Sequence, residues 1–274
     1  MAAVGLDPIT ANAEYGPGQT EINFRPAWGV AVADHAFTFK NGVKEIARQH
    51  GMIVSFMTKP HIDQSANGCH YHQSLWQGDK NAFLDDSGED GLSDICRYFL
   101  AGQLAHAGAI CALAAPTVNC AKRFKLYSFA PTNATWGIEN RTTGLRVKAT
   151  RNEFTHVENR FGGGASNPYL VMAACLAAGI DGLKNRLAPP PPVTGVAYGM
   201  DGVVNLPSRL EDSLNALEQD PVMREALGSE FVRLFLAVKR HETNKAATAI
   251  ANYSTPAFHN SVDDWERQEY FEFL

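Results

Sequence analysis

The sequence predicts an α+β fold in which helices and strands alternate without an internal repeat. Three observations support this. Residues 20–24, 70–74 and 156–160 alternate in polarity with the period of a strand. Residues 33–50, 93–113 and 166–187 carry apolar side chains at helical spacing. The chain has 274 residues, 45% hydrophobic and 19% charged, enough for one large core or two modest ones. That apolar content, with a net charge of −5, excludes an intrinsically disordered chain and gives no general attraction for nucleic acid or an acidic membrane. No apolar run reaches the ~20 residues needed to cross a bilayer. Residues 1–10 lack the basic start and apolar stretch of a signal peptide. Cys69, Cys96, Cys111, Cys120 and Cys175 are widely spaced, with no CxxC pair, and read as free thiols of a reducing compartment, with the cytoplasm as default.

Taken in order, residues 12–24 begin polar and glycine-rich, then alternate as a short strand. Residues 33–50 form a helix that Gly51 stops. A strand is expected over residues 52–57, ended by the Lys59-Pro60 turn. One long helix is expected over residues 93–113, with Ser93 as N-cap and Pro116 beyond its end. Another starts at Ser166-Asn167-Pro168, where proline suits the first turn, and runs to about Leu187. The four prolines at 189–192 cannot continue it and begin a surface excursion over residues 189–207. Residues 208–219 and 221–240 read as a helical pair within a C-terminal helical part, 208–274, whose acidic, aromatic end (263–273) packs against the body.

Four segments carry chemistry. Glu14 and Glu21 flank the turn Tyr15-Gly16-Pro17-Gly18-Gln19, which can bring both carboxylates to one point and so suits a hard divalent cation. Two solvated glutamates beside an ordinary turn are the simpler reading of the same residues. In NGCHYHQSLW, His70, His72 and Ser74 would share one strand face, the histidines ~7 Å apart, positioned for a metal and a phosphate or merely polar and outward. Arg123, Arg141 and Arg146 lie among small and aromatic residues, unlike a solvated charge run, and arginine is the natural clamp for carboxylate and phosphoryl oxygens. The odd spacing of Arg141 and Arg146 puts Arg141 at a strand end or loop. Finally, His156, Glu158 and Arg160 alternate onto one face before Gly162-Gly163-Gly164, a triplet without the GK[ST] ending of a phosphate loop.

Together these segments resemble the glutamine synthetase family. NGCHYHQSLW resembles its NGSGMHxHxSLW segment, APTVNCAKRF its APTxNSYKRL, and ENRTTGLRV its xNRSAxIRV. ENRFGGGASNPYL is similar to ExRxPDxxANPYL, and EYGPGQTEINF to EVAPGQHEI, all in the family's order and over nearly the whole chain. The resemblance implies a curved antiparallel half-barrel flanked by helices, with residues 1–274 as one catalytic domain. It implies two divalent cations per site, Mg²⁺ or Mn²⁺: Glu14 and Glu21 on the first, His70 and Glu158 on the second. By the same resemblance His72 and Ser74 contact ATP, with His156 nearby, Arg123 and Arg160 grip glutamate, and Arg141 and Arg146 stabilise the transferred phosphoryl group. ATP would phosphorylate the side-chain carboxylate of glutamate, and an amine would then displace phosphate. The family also implies a large ring-shaped homo-oligomer.

The chain departs from the pattern at three points. Phe129 stands where the family's flap carries a glutamate that selects ammonium, and SFAPTNATWG resembles members that join glutamate to larger amines. Ala66 replaces a glycine in a glutamate-contacting loop, and His156 an arginine near the nucleotide. Met1 lies 13 residues before Glu14, so the small N-terminal β-grasp domain, and the following strand with one further carboxylate for each metal, are expected to be absent. The expected function is therefore a glutamate–amine ligase acting on an organic amine; ammonia-using glutamine synthesis and an inactive binding or assembly module are the alternatives.

Overall fold

A computed structural model describes residues 4–274. It opens with a hairpin, β1 (Pro8–Ala13) and β2 (Thr20–Phe24), paired antiparallel with Asn12 opposite Glu21. Helix α1 (Ala31–Gln49) follows, close to the expected span. Residues 52–57 are not a strand. Their backbone groups serve the rest of the chain: Phe56 N–H donates to Leu274 O (3.1 Å), and Met57 O accepts from the Asn67 side chain (2.7 Å). Among the described residues the stretch has no ladder partner.

The sheet that carries the site has four strands: β3 (Tyr71–Gln73), β6 (Trp136–Ile138), β7 (Leu145–Lys148) and β8 (His156–Asn159), in the order β3-β8-β7-β6. Two further two-residue strands, β4 (Trp76–Gln77) and β5 (Lys80–Asn81), form a small separate ribbon. The sheet is mixed and does not close into a barrel. β3–β8 and β7–β8 are antiparallel as expected, whereas β6 runs parallel to β7. Leu145, Val147 and Val157 face the core, and the period-two alternation turns Arg146 and Lys148 to the other face. Register then fixes the site: His72, Glu158 and Arg146 lie directly opposite one another on three adjacent strands.

The expected long helix is two, α2 (Asp94–Ala105) and α3 (Ala107–Ala114), broken at His106. Ser93 caps the first as expected, its hydroxyl accepting from Cys96 N–H. Helix α4 (Pro168–Asn185) begins after Asn167, whose side chain accepts from two backbone amides of the first turn. α5 (Leu210–Gln219) matches its expected span, but the next helix is split at Gly228 (φ +89°) into α6 (Pro221–Leu227) and α7 (Ser229–Ala249). The proline run is coil, tied down where Pro190 O accepts from the Trp136 indole (2.6 Å). The C-terminal segment packs as expected, through α8 (Asp264–Tyr270), with Trp265 and Phe271 against the core. Among the described residues no helix is long and apolar enough to cross a membrane.

The glycine triplet has a packing role. Cys69 N–H donates to Gly162 O (2.9 Å) and Gly164 N–H to Asn67 O (2.8 Å), so the triplet lies flat against the loop leading to His70. A Cβ on Gly162 would meet the Cys69 carbonyl oxygen at 2.2 Å. Gly162→Ala should therefore cost about 3 kcal/mol or more in urea unfolding. Gly195→Ala, which meets nothing within 4 Å, should change stability by less than about 1 kcal/mol.

At the α2–α3 break His106 staples three helices. Its Nδ1 lies 2.6 Å from Asp220 Oδ2 before α6, and its Nε2 lies 3.1 Å from Asp181 Oδ2 on α4. The Asp220 hydrogen bond, helped by Asp181, outweighs burial and raises the His106 pKa. A raised folded-state value means this stabilisation is complete below the unfolded value of about 6.5 and is lost as pH rises through the folded one. Denaturant titrations from pH 6 to pH 9 should show wild type more stable than His106→Gln by on the order of 1 kcal/mol at the acid end, with the gap narrowing as pH rises.

Candidate active site

Glu158, on the middle strand β8, is 2% exposed. Its Oε1 accepts from Arg160 Nη1 (2.5 Å) and lies 3.0 Å from His70 Nδ1; its Oε2 accepts from Arg146 Nη1 (3.1 Å). Burial alone would raise its pKa, but the His70 hydrogen bond and the Arg160 charge hold the carboxyl well below the usual range. It stays ionised.

His70 is brought beside it by the Asn67–Cys69 loop rather than by β3, which starts one residue later. Desolvation, reinforced by Arg160 and Arg123, lowers its pKa to about 4 despite the Glu158 hydrogen bond. The ring is neutral near pH 7, with Nδ1–H donating to Glu158 and Nε2 free to accept from Arg123 Nη2 (3.2 Å). Gly68 allows this closeness, since a Cβ there would stand 3.1 Å from both Arg123 Nη2 and His70 Nε2.

Arg123 is almost completely buried, at the end of a 3₁₀ turn, Cys120–Arg123. Its Nη1 donates to Arg160 O (3.1 Å). Desolvation, with Arg160 adding repulsion, lowers its pKa to about 10, so it remains a cation at neutral pH. Arg160 donates through Nη2 to Phe129 O (2.9 Å), while its Nε is a buried donor without a partner among the described residues.

The hairpin turn closes the other side. Gln19 donates to Asn67 Oδ1 (2.8 Å) and Ala66 O (3.1 Å), pinning the turn to the His70 loop. Glu14 and Glu21 lie close enough to shift one another's ionisation. Desolvation, then the proximity and like charge of Glu21, raise the Glu14 pKa, and the charge of Arg141 opposes the shift. Arg141 lies in the turn before β7, as its spacing from Arg146 required. Phe129 is 57% exposed at φ +61°, not packed in a core, and stacks on Tyr15 with ring centroids 5.1 Å apart.

On the far side of Glu158, His72 Nδ1 lies 2.9 Å from His156 Nε2, and His156 Nδ1 lies 2.6 Å from Phe154 O. Since a carbonyl can only accept, His156 donates through Nδ1 and His72 donates to His156, which leaves the His72 Nε2 lone pair free. Desolvation lowers the His72 pKa to about 4. Ser74 falls outside β3 and accepts from the Trp76 indole (2.9 Å), so the expected single strand face stops at Gln73.

The structure thus forms two pairs, Glu14 with Glu21 and His70 with Glu158, and Gln19 ties the turn between the first two to the loop that leads to His70. Among the described residues no group of three His, Cys, Asp or Glu side chains forms, so neither pair has a third such member. Sequence reasoning missed three contributors. Glu139, at φ +50° after β6, accepts from Arg146 and from Lys148 Nζ (3.0 Å). Gln19 fixes the turn, and Tyr15 supports Phe129. Glu139 sits in the ENR run already singled out, but its partnership depends on the parallel β6–β7 register, which no local pattern reveals.

Comparison with known proteins places this arrangement. The family described as glutamine synthetase, catalytic domain, matches residues 1–258. Glutamine synthetase of Methanocaldococcus jannaschii is 36% identical over 260 residues, 92% of this chain and 57% of that enzyme. That of Thermus thermophilus is 39% identical over 249 residues, 88% of this chain and 56% of that enzyme. Among solved structures, the GmaS–ADP complex superposes with a TM-score of 0.84 at 33% identity, covering 98% of this chain and 61% of that one. A crystal structure of a novel glutamine synthase homolog gives 0.83 at 31% identity, covering 97% of this chain and 60% of that one. The chain spans about three fifths of the length of the curated relatives it matches. It belongs to the glutamine synthetase catalytic-domain family.

Proposed function

We propose that this chain carries the catalytic cleft of an ATP-dependent ligase that joins the side-chain carboxylate of glutamate to an amine through a γ-glutamyl phosphate, with an organic amine preferred to ammonia. The supporting observation is the charge around Glu158. Immediately around Glu158, Arg123, Arg146, Arg160 and Lys148 outnumber the carboxylates of Glu158 and Glu139 by two, and when Arg141, Glu14 and Glu21 are counted as well the excess is one. Desolvation there strengthens the pull of the buried arginines on anions. Phosphoryl transfer to a carboxylate brings several negatively charged oxygens together, and such an excess of fixed cations opposes their repulsion.

The unpartnered Nε of Arg160 and the adjacent Arg123 are the groups for the glutamate carboxylates. Arg146, fixed between Glu158 and Glu139, and the exposed Arg141 would face the phosphoryl group. The free lone pair of His72, with His156 behind it, and Ser74 would face the nucleotide. The γ-carboxylate oxygen attacks the terminal phosphorus and ADP leaves. The amine nitrogen then attacks the carbonyl carbon, phosphate leaves, and the amine gives up a proton.

Divalent cations fit both pairs. Glu14 and Glu21 repel one another, which a Mg²⁺ or Mn²⁺ ion would relieve; between Glu158 and the neutral His70, 3.0 Å apart, an ion would replace the bridging proton. Bound there, the ions would neutralise phosphate charge and orient the transferred group. The reducing setting suggested by five free cysteines agrees with a cytoplasmic enzyme, and the ring-shaped assembly of the family is proposed for the whole protein.

Two measurements follow. Mg²⁺ or Mn²⁺ should raise the melting temperature of wild type. Glu21→Gln should be at least as stable without the ion and should show a smaller ion-dependent rise, the remainder coming from the His70–Glu158 pair; an undiminished rise would remove the first pair as a cation site. For amine choice, phosphate release with glutamate, ATP and Mg²⁺ should show a higher kcat/KM for alkyl amines or polyamines than for ammonium, because Phe129 and Tyr15 offer an apolar wall and no carboxylate. Ammonium as the best substrate would restore glutamine synthesis; nucleotide binding without turnover on any amine would favour a binding module.

A further inference from the structure

A cavity of about 330 Å³ opens outside the catalytic cleft, between α1, the start of α4, α7 and the C-terminal segment. Its walls include Phe37, Leu170 and Phe235, and its cations are Lys40, Lys44 and Lys239; among the described residues no Asp or Glu side chain lines it. Lys239 is paired with Glu242 (2.8 Å). Lys44 reaches a neutral acceptor, Glu272 O (3.2 Å). Leu274, the last residue of the sequence, also lines the cavity; one oxygen of its main-chain carboxylate accepts from Phe56 N–H, and that carboxylate forms no ion pair with Lys40 or Lys44 among the described residues.

Lys40 is the unusual group. Its ammonium donates to Gly164 O (2.9 Å) and Ser166 O (3.3 Å) and stands 5.1 Å from the centroid of the Phe56 ring. All three partners are neutral, and no carboxylate among the described residues forms an ion pair with it. Lys40 is half-buried, and a cation drawn partly out of water is ordinarily paired, because desolvation is offset by close opposite charge. Desolvation, with the like charge of Lys44 contributing, lowers the Lys40 pKa. The ammonium has three N–H donors and uses two.

We infer that this cavity binds a small organic anion with an apolar body, its acid group meeting Lys40 and its hydrocarbon part resting on Phe37, Leu170 and Phe235. The volume lies at the lower end of small-molecule sites, and the balance of apolar wall with one convergent charge is typical of them. The site is separate from the cleft, although the carbonyls that hold Lys40 belong to the loop that backs the His70 segment.

The test is calorimetric titration of the full chain with 4-phenylbutyrate and with the neutral 4-phenylbutanol. Wild type should bind the acid at least tenfold more tightly than the alcohol. Lys40→Met should bind the two equally, Lys40→Arg should keep the preference, and Asn41→Trp, which plugs the mouth from α1, should lose both ligands. Circular dichroism melts identify any variant that has unfolded; should Lys40→Met do so, the arginine and tryptophan variants decide the question. No binding of the acid to wild type, equal binding of acid and alcohol, loss of the preference in Lys40→Arg, its retention in a folded Lys40→Met, or undiminished binding to Asn41→Trp would each overturn the assignment.

Discussion

A carboxylate removed from water loses several kcal/mol of hydration, and only opposite charge and hydrogen bonds at contact distance offset that loss. Glu158 is in this position, and the surrounding cleft is organised by it. Arg160 and Arg146 take its two oxygens, and His70 shares the oxygen held by Arg160. Each of these groups is fixed in turn by a second contact: Arg160 by Phe129 O, Arg146 by Glu139, and His70 by Arg123. The side chains proposed to bind substrate are therefore oriented before substrate arrives, which lowers the reorganisation demanded of the reaction. A one-residue slip of β8 would turn Glu158 to the opposite face and dissolve the arrangement, so the sheet register is as much a part of the site as the charges.

Support for Arg123 comes from the opposite end of the chain. Its neighbour Lys122 pairs with Glu266 of α8 at 2.5 Å, both side chains without solvent, and lies 3.7 Å from the centroid of the Phe258 ring. Glu266 also accepts from Asn119 (2.9 Å) and from Asp263 N–H (2.9 Å), completing the capping box that starts α8. One buried carboxylate thus fixes both a helix start and the 3₁₀ turn carrying Arg123. The C-terminal helices take part in the site through packing, without contributing a group to the cleft.

Much of this was legible before the fold. The motif segments supply Glu14, Glu21, His70, Glu158 and the arginines, and the caps Ser93 and Asn167 mark helix starts because their side-chain chemistry is local. The errors fall where tertiary partners decide. Residues 52–57 have strand-like composition, but Phe56 finds its hydrogen-bond partner in Leu274, over two hundred residues away. His106 interrupts a good helical pattern because Asp181 on α4 and Asp220 at the start of α6 hold its ring. Glu139 meets Arg146 only through the parallel β6–β7 pair, a partnership with no local signature in the sequence. Local periodicity carries no information about such pairings.

The central claim is that this cleft activates a glutamate carboxylate by phosphorylation. Oxygen-isotope transfer tests it most directly. Glutamate labelled with ¹⁸O in its side-chain carboxylate is turned over with ATP, Mg²⁺ and an alkyl amine, and the released phosphate is examined by mass spectrometry or ³¹P NMR. The account predicts one ¹⁸O per phosphate, since the oxygen that attacks phosphorus leaves with it when the amine displaces phosphate. Phosphate released without label, with the amide formed, would contradict the acyl-phosphate route and the role given to the arginines around Glu158.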